Sequence, residues 1–266
     1  MKECVVVIPT YNEIENIEAI IRRVMGLSQP FDILIVDDGS PDGTALKVKE
    51  LQNEFTGRLH ILERKGKQGL GTAYIHGFKW AIREGYRYFF EMDADFSHNP
   101  ADLERLYQAC SEGGSDMAIG SRYIKGVNVV NWPMGRVLMS YFAGVYVRFV
   151  TGMQIMDPTA GFICYKREVL QGIGLDDIQF VGYAFQIEMK FNTWKYGYQL
   201  TEVPIIFTDR TKGVSKMSTK IFKEAVLGVL YLKIRSFFKT YIRHNEPKEI
   251  KYKNSNCLGS PLESTL

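Results

Sequence analysis

Short unbroken apolar runs alternate with stretches of helical spacing over the first 120 residues. Val5-Val6-Val7-Ile8 and Ile33-Leu34-Ile35-Val36 lack the every-other-residue polarity of a half-exposed strand. They therefore predict parallel strands covered on both faces. Residues 14–25 place Ile14, Ile17, Ile20, Ile21 and Val24 on one helical face. Further helices are predicted over 43–55, 72–84 and 101–110, with strands at 59–62, 87–92 and 116–119. This βα rhythm implies an α/β fold: a mostly parallel twisted sheet flanked by helices. Beyond residue 120 it loosens. A loop over 121–132, a helix over 133–150, a strand at 161–166, a helix over 185–194 and a strand over 198–207 are expected. A polar, basic, glycine-containing loop at 208–219 then leads to a helix over 220–243 and a weakly structured polar tail, 244–266.

The predicted strands end in acidic or polar clusters: Tyr11-Asn12-Glu13, Asp37-Asp38 and, after Glu91, Asp93-Ala94-Asp95. Open parallel sheets bind ligands at those ends. Side chains two apart in extended chain share a face, so Asp93 and Asp95 are able to converge. Hard oxygen donors without nearby His or Cys suit Mg²⁺ or Mn²⁺ bridged to substrate phosphates. The competing role for any one Asp is capping a helix or shaping a turn. Residues 65–72, KGKQGLGT, do not match GxxxxGK[ST], and no GxGxxG follows the first strand. The glycines at 66–71 serve either an anion or ribose approaching a helix N-terminus or merely a tight turn.

Charge sharpens this picture. The net charge is +3, yet residues 205–253 hold 12 Lys or Arg against 4 Asp or Glu. A basic segment calls for a polyanion or an anionic surface. The four cysteines form no CxxC pair and the four histidines show no zinc spacing, and no secretory signal is evident. No nucleic-acid-binding motif occurs. No run of 18 uncharged apolar residues occurs either, so no classical membrane-spanning helix is expected.

Eight pieces carry a family resemblance: VVIPTYNEIENI (6–17), ILIVDDGSPDGT (33–44), GLGTAYIHGF (69–78), EMDADFSHNP (91–100), IGSRYIKG (119–126), DPTAGFICYKREVL (157–170), FQIEMKF (185–191) and VPIIFTDRTKGVSKMS (203–218). Together they resemble the family 2 glycosyltransferases and, within them, the polyprenol-phosphate (dolichol-phosphate) mannose synthases. The resemblance spans about residues 4–235. It implies one GT-A catalytic domain over 1–243, with 1–120 binding nucleotide and 121–243 facing acceptor and membrane. It further implies GDP-mannose as donor and Mg²⁺ or Mn²⁺ as cofactor. Pro9, Tyr11, Glu13 and Asp38 would line the base and ribose, and Asp93 and Ala94 would lie against the donor. Asp95 would be the principal metal ligand. Many relatives carry Gln where this chain has Ser97, a weaker neutral oxygen, alongside Asp93 and Asp95.

The implied reaction is inverting transfer of mannose to a polyprenyl or dolichyl phosphate. Arg122, Arg136, Arg210 and Lys216 are candidates to hold the acceptor phosphate, since guanidinium groups bind phosphate oxygens in pairs; Lys212 adds charge to the same basic loop. Of these, Arg122, Arg210 and Lys216 join Asp95 as candidate catalytic groups. An ionised acceptor phosphate needs no general base. Asp157 would orient Arg122 or the sugar, or cap local structure. Glu188 would partner an arginine or be a plain surface carboxylate. The apolar, aromatic and basic segments 133–150 and 221–243 either lie in a membrane interface or cover the sheet. The chain resembles compact family members that sit peripherally on the cytoplasmic face of a membrane, some with small membrane subunits. The rivals are a UDP-glucose-dependent transferase to the same acceptor class, a transferase to hydroxyl groups and a non-catalytic nucleotide-binding scaffold.

Overall fold

The computed structural model describes residues 2–182, 184–209 and 219–243. The predicted tail, and Arg210, Lys212 and Lys216 of the basic loop, lie outside the described residues.

Seven strands form the main sheet: β1 (Lys2–Thr10), β2 (Asp32–Asp37), β3 (Leu59–Glu63), β4 (Tyr86–Glu91), β5 (Met117–Ser121), β7 (Ile163–Lys166) and β8 (Leu200–Pro204). Their order is β3-β2-β1-β4-β7-β5-β8. The strands β1 to β4 pair in parallel, as do β5 and β8, while β7 runs antiparallel between β4 and β5. A two-strand parallel ladder joins β6 (Val129–Val130) to β9 (Phe207–Thr208).

Alternation along the central strands supplies two apolar layers. Val5, Val7, Leu34, Val36 and Phe89 face a layer that includes Tyr74 and Phe78 of α3 (Leu70–Arg83) and Phe185 and Ile187 of α7 (Ala184–Lys195). Val6, Ile8, Ile33, Ile35 and Phe90 face the other. There they meet Ile17, Ile20, Ile21 and Val24 of α1 (Ile17–Met25) and Leu103 and Leu106 of α4 (Asp102–Ser111). The remaining helices are α2 (Thr44–Gln52), α5 (Met134–Thr151), α6 (Arg167–Ile173) and α8 (Thr219–Phe238).

Some elements differ from the sequence pattern. The first helix begins at Ile17 rather than 14, because the Glu13 carbonyl accepts from the N–H groups of Asn16 and Ile17 in a turn. The strand expected over 198–207 divides after Pro204. Its continuation leaves the main sheet and pairs, as β9, with β6 inside the segment read as a loop. That detour matters, because it carries Trp132 and Phe207 to the carboxyl ends of the strands.

Candidate active site

At the end of β1 the chain turns sharply, with Asn12 in the left-handed region at φ 58°. Three hydrogen bonds hold this turn to the end of β2 and the loop into α2. Thr10 Oγ1 donates to Asp37 at 2.8 Å, Asn12 N donates to Ser40 Oγ at 3.0 Å, and Glu13 N donates to Thr44 Oγ1 at 3.0 Å. Asp37 also accepts from Ser40 N and Oγ, so its carboxylate shapes a loop. Asp38 has a different partner. Arg64 binds it through Nε at 2.5 Å and also donates to Thr72 Oγ1 at 2.8 Å and to the Gly69 carbonyl at 3.4 Å. This buried arginine thus ties the Asp38 carboxylate to the start of α3. Pro9, Tyr11 and Glu13 stand half-buried on the same edge, and Lys67 Nζ lies 3.9 Å from the Tyr11 ring centroid.

The glycines at 69–71 have a packing reason. A Cβ on Gly71 would fall 2.7 Å from the Phe185 ring, and Gly71 N donates to the Val181 carbonyl. They allow α3 to start hard against the segment leading into α7.

Beyond β4 the chain leaves extended geometry. Residues 94–98 bend, with Phe96 at φ 59°, so Asp93 and Asp95 sit on a loop and not on one face of a strand. Ser97 N donates to Asp95 Oδ1 at 3.0 Å, a turn that fixes the Asp95 carboxylate against the Ser97 backbone. Asp93 is half-buried, whereas Ala94, Asp95 and Ser97 are buried. Glu91, which opened the acidic cluster in sequence, points instead into the apolar layer and is fully buried. Among the described residues no three His, Cys, Asp or Glu side chains gather into a protein-only metal cage. The oxygen-bearing side chains along this loop are the Asp93 and Asp95 carboxylates and the Ser97 hydroxyl. That set fits a hard cation whose shell is completed by diphosphate and water, and it does not fit zinc.

Across β7, the segment after β5 presents the opposite charge. Asp157, fully buried, accepts from Arg122 N at 3.0 Å, Nε at 2.7 Å and Nη2 at 2.7 Å, and Arg122 Nη2 also reaches Thr159 Oγ1 at 2.8 Å. Burial pushes the Asp157 carboxyl up, but the charge and hydrogen bonds of Arg122 outweigh it and hold the group below its ordinary range. Glu202 in turn accepts from the N–H groups of Met156 and Asp157, fixing that loop. Arg136, on the first turn of α5, donates to both oxygens of Asp209 at 3.0–3.1 Å.

Both guanidiniums pack on one indole. Arg136 lies 4.1 Å and Arg122 5.6 Å from the Trp132 ring, and Arg122 lies 5.7 Å from Phe207. Phe207 also meets His98 at 5.3 Å, and Thr208 N donates to the Ser97 carbonyl at 3.1 Å. The acidic loop and the arginine pair are therefore neighbours across a single aromatic ring. Burial holds the His98 imidazole below its usual range, so it stays neutral next to Asp95 and Arg122. Two buried atoms in this patch, His98 Nδ1 and Trp132 Nε1, have no hydrogen-bond partner among the described residues.

Of the positions singled out in the sequence, Asp95, Ser97, Arg122, Arg136 and Asp157 gather here, and Asp93 lies two residues before Asp95 on the same loop. Glu188 does not. It is fully buried at the opposite face of α7, accepts from Gln179 N and Phe180 N at 2.9 Å, and pairs with Arg235 of α8 at 3.5 Å. It is not a surface carboxylate, and its arginine partner is not Arg122. Sequence reasoning missed Arg64, Trp132, Phe207 and His98. The only available signal was aromatic residues beside the arginine and aspartate motifs.

A model of the family described as "Glycosyl transferase family 2" matches residues 5–174. The chain belongs to that family. It is 47% identical over 230 residues to a polyprenol monophosphomannose synthase of Mycolicibacterium smegmatis, covering 86% of each chain. An undecaprenyl-phosphate mannosyltransferase of Micrococcus luteus is 43% identical over 84% of this chain and 90% of that one. Among solved structures, a Mycobacterium tuberculosis glucosyl-3-phosphoglycerate synthase, bound to phosphoglyceric acid, superposes with a TM-score of 0.65. Its identity is 16%, over 87% of this chain and 80% of that one. At that identity the likeness speaks for the fold.

Proposed function

We propose that this glycosyltransferase transfers mannose from GDP-mannose to a polyprenyl or dolichyl monophosphate, with inversion to the β-mannosyl phosphate lipid. The observation that carries the assignment is the pair of opposite charge clusters meeting at Phe207: carboxylates for a donor diphosphate with its cation, and arginines for a second anion. The polyprenyl-phosphate mannosyltransferases named above, at 43–47% identity, support the substrate classes.

In this scheme Asp95, with Asp93 and Ser97, would hold Mg²⁺ or Mn²⁺ against the donor diphosphate. When bound, the ion would supply charge to stabilise the departing nucleotide. Pro9, Tyr11, Glu13, Asp38 and Ala94 line the nucleotide side. Arg122 and Arg136 hold the acceptor phosphate, and Arg210 and Lys216, outside the described residues, are assigned to the same anion. Asp157 and Asp209 hold the two guanidiniums in place before substrate arrives, which limits the ordering cost of binding. Because the nucleophile is already an anion, no side chain is asked to remove its proton.

A polyprenyl chain must be met at a lipid surface. The outer faces of α5 and α8 expose Leu138, Phe142, Phe149, Leu227, Phe237 and Phe238, with Phe149 88% and Phe238 86% exposed. Among the described residues no helix is long and apolar enough to cross a membrane. We assign this aromatic face to peripheral contact with the cytoplasmic leaflet, basic side chains reaching the headgroups.

The direct test is incubation of the purified protein with polyprenyl phosphate and labelled GDP-mannose or UDP-glucose, with Mg²⁺ or Mn²⁺ and with chelator. Label entering the lipid phase from GDP-mannose, and lost on chelation, is expected. Label entering only from UDP-glucose would replace the donor assignment.

A further inference from the structure

Under the site lies a second charged set, closed off from water. Glu91, the last residue of β4, and Lys190, in the middle of α7, are both fully buried. Tyr165 donates to Glu91 Oε1 at 3.0 Å, and the Gln186 side-chain amide donates to Oε2. Lys190 Nζ donates to the Ala160 carbonyl at 2.6 Å and to the Gln186 carbonyl, one turn earlier, at 3.2 Å. Burial disfavours both charges, pushing Glu91 up and Lys190 down, and each is in part offset by the other. Burying an ion costs several kcal/mol, and apolar residues of similar volume often serve a core at least as well. The pair therefore calls for a reason other than stability.

Its connections supply one. Glu91 stands two residues before Asp93, at the root of the acidic loop. Ala160 belongs to the same short segment as Asp157 and Thr159, the residues that grip Arg122. The contacts run without a gap from Glu91, through the Gln186 amide and carbonyl, to Lys190 and the Ala160 carbonyl. We propose that Lys190 and Gln186 are positioning residues: they fix the Arg122–Asp157 pair relative to the Asp93–Asp95 loop, and so set the spacing of the two charge clusters. Which substrate feels a change in that spacing rests on the assignment of Arg122 to the acceptor phosphate.

The variants K190M, E91Q/K190M, R122K and E91Q/K190M/R122K separate positioning from stability. K190M leaves Glu91 buried without a cation, and its Tm is expected to fall. E91Q/K190M removes both charges, so its Tm is expected to return close to that of the parent. Its kcat/KM for polyprenyl phosphate is nevertheless expected to stay about tenfold low, with KM for GDP-mannose within twofold. Because Lys190 acts through Arg122, the triple variant is expected to be no worse than R122K. Full recovery of transfer once Tm recovers, or additive losses in the triple variant, would overturn the proposal. Should R122K alter KM for GDP-mannose instead of the acceptor, the acceptor assignment fails. The positioning role then stands if E91Q/K190M moves that same constant and is overturned if it does not. If E91Q/K190M does not fold, Q186M, which cuts only the bridge to Glu91, is read in the same assay by the same outcomes.

Discussion

At the ends of β1, β2 and β4 the carboxyl edge of the sheet carries carboxylates shaped by backbone N–H groups and hydroxyls, as Asp37 is by Ser40 and Asp95 by Ser97. Across β5 and the β6–β9 ladder it carries guanidiniums, each backed by a carboxylate and laid on an aromatic ring. The two constructions answer two electrostatic problems. Carboxylates gathered on one loop repel each other, and a nearby cation offsets that cost. Two arginines on one indole would also repel. Here the counter-charge is built in: Asp157 and Asp209 hold them in place, and the ring faces attract what charge remains. On the proposed function, the first half serves a cation with its diphosphate and the second an anion.

The contrast breaks most sharply at Asp95. D95N removes half of the carboxylate pair and is expected to lower kcat/KM for GDP-mannose by about 10²-fold or more, several kcal/mol of transition-state stabilisation. Steady-state rates at saturating acceptor check this. Next comes the aromatic platform. W132A removes the face shared by Arg122 and Arg136, and two cation–π contacts of about 0.5–2 kcal/mol each predict a loss in kcat/KM for polyprenyl phosphate of between about 5-fold and several hundred-fold. W132F is expected to fall between parent and W132A, and equal losses for the two would remove the ring face as the cause.

A milder effect separates chemistry from location. Phe142→Asp with Phe149→Asp changes side chains exposed on the outer face of α5. Vesicle co-sedimentation is expected to drop about tenfold, while transfer to a short, detergent-dispersed acceptor stays within twofold. The smallest effect is one of pH. The folded state depresses the Asp157 pKa, so the stability from this group is present above the ordinary carboxylate value and is lost as pH falls through the lower folded one. The Tm gap between parent and D157N is therefore expected to be full at pH 5–7 and to narrow below about pH 4. A gap that widens in acid would reverse the sign and remove Arg122 as the cause.

The strands and helices of the first 120 residues were legible in the sequence because their signals are local. A continuous apolar run predicts a buried parallel strand, and the residues that end the run fall at the carboxyl edge of the sheet, as Asp38, Asp93 and Asp95 do. Glu91 read alike and is unlike: side-chain alternation in β4 turns it into the core, where only a distant helix supplies its partners. The arginine half was legible as a list of cations and not as a site. Trp132 and Phe207 lie 75 positions apart and meet only because β8 stops at Pro204 and the chain crosses to β6. No spacing rule encodes that crossing. Nor did periodicity tell Glu188 from a surface carboxylate, since the stretch around it in α7 is buried on every side.

Equilibrium binding of GDP-mannose with Mn²⁺ to D95N and to R136A, compared with the parent, tests the division of labour most directly. Binding to D95N is expected to weaken tenfold or more, while R136A stays within twofold of the parent and yet transfers poorly to polyprenyl phosphate. Equal weakening in both variants would contradict it, because the arginines would then belong to the donor.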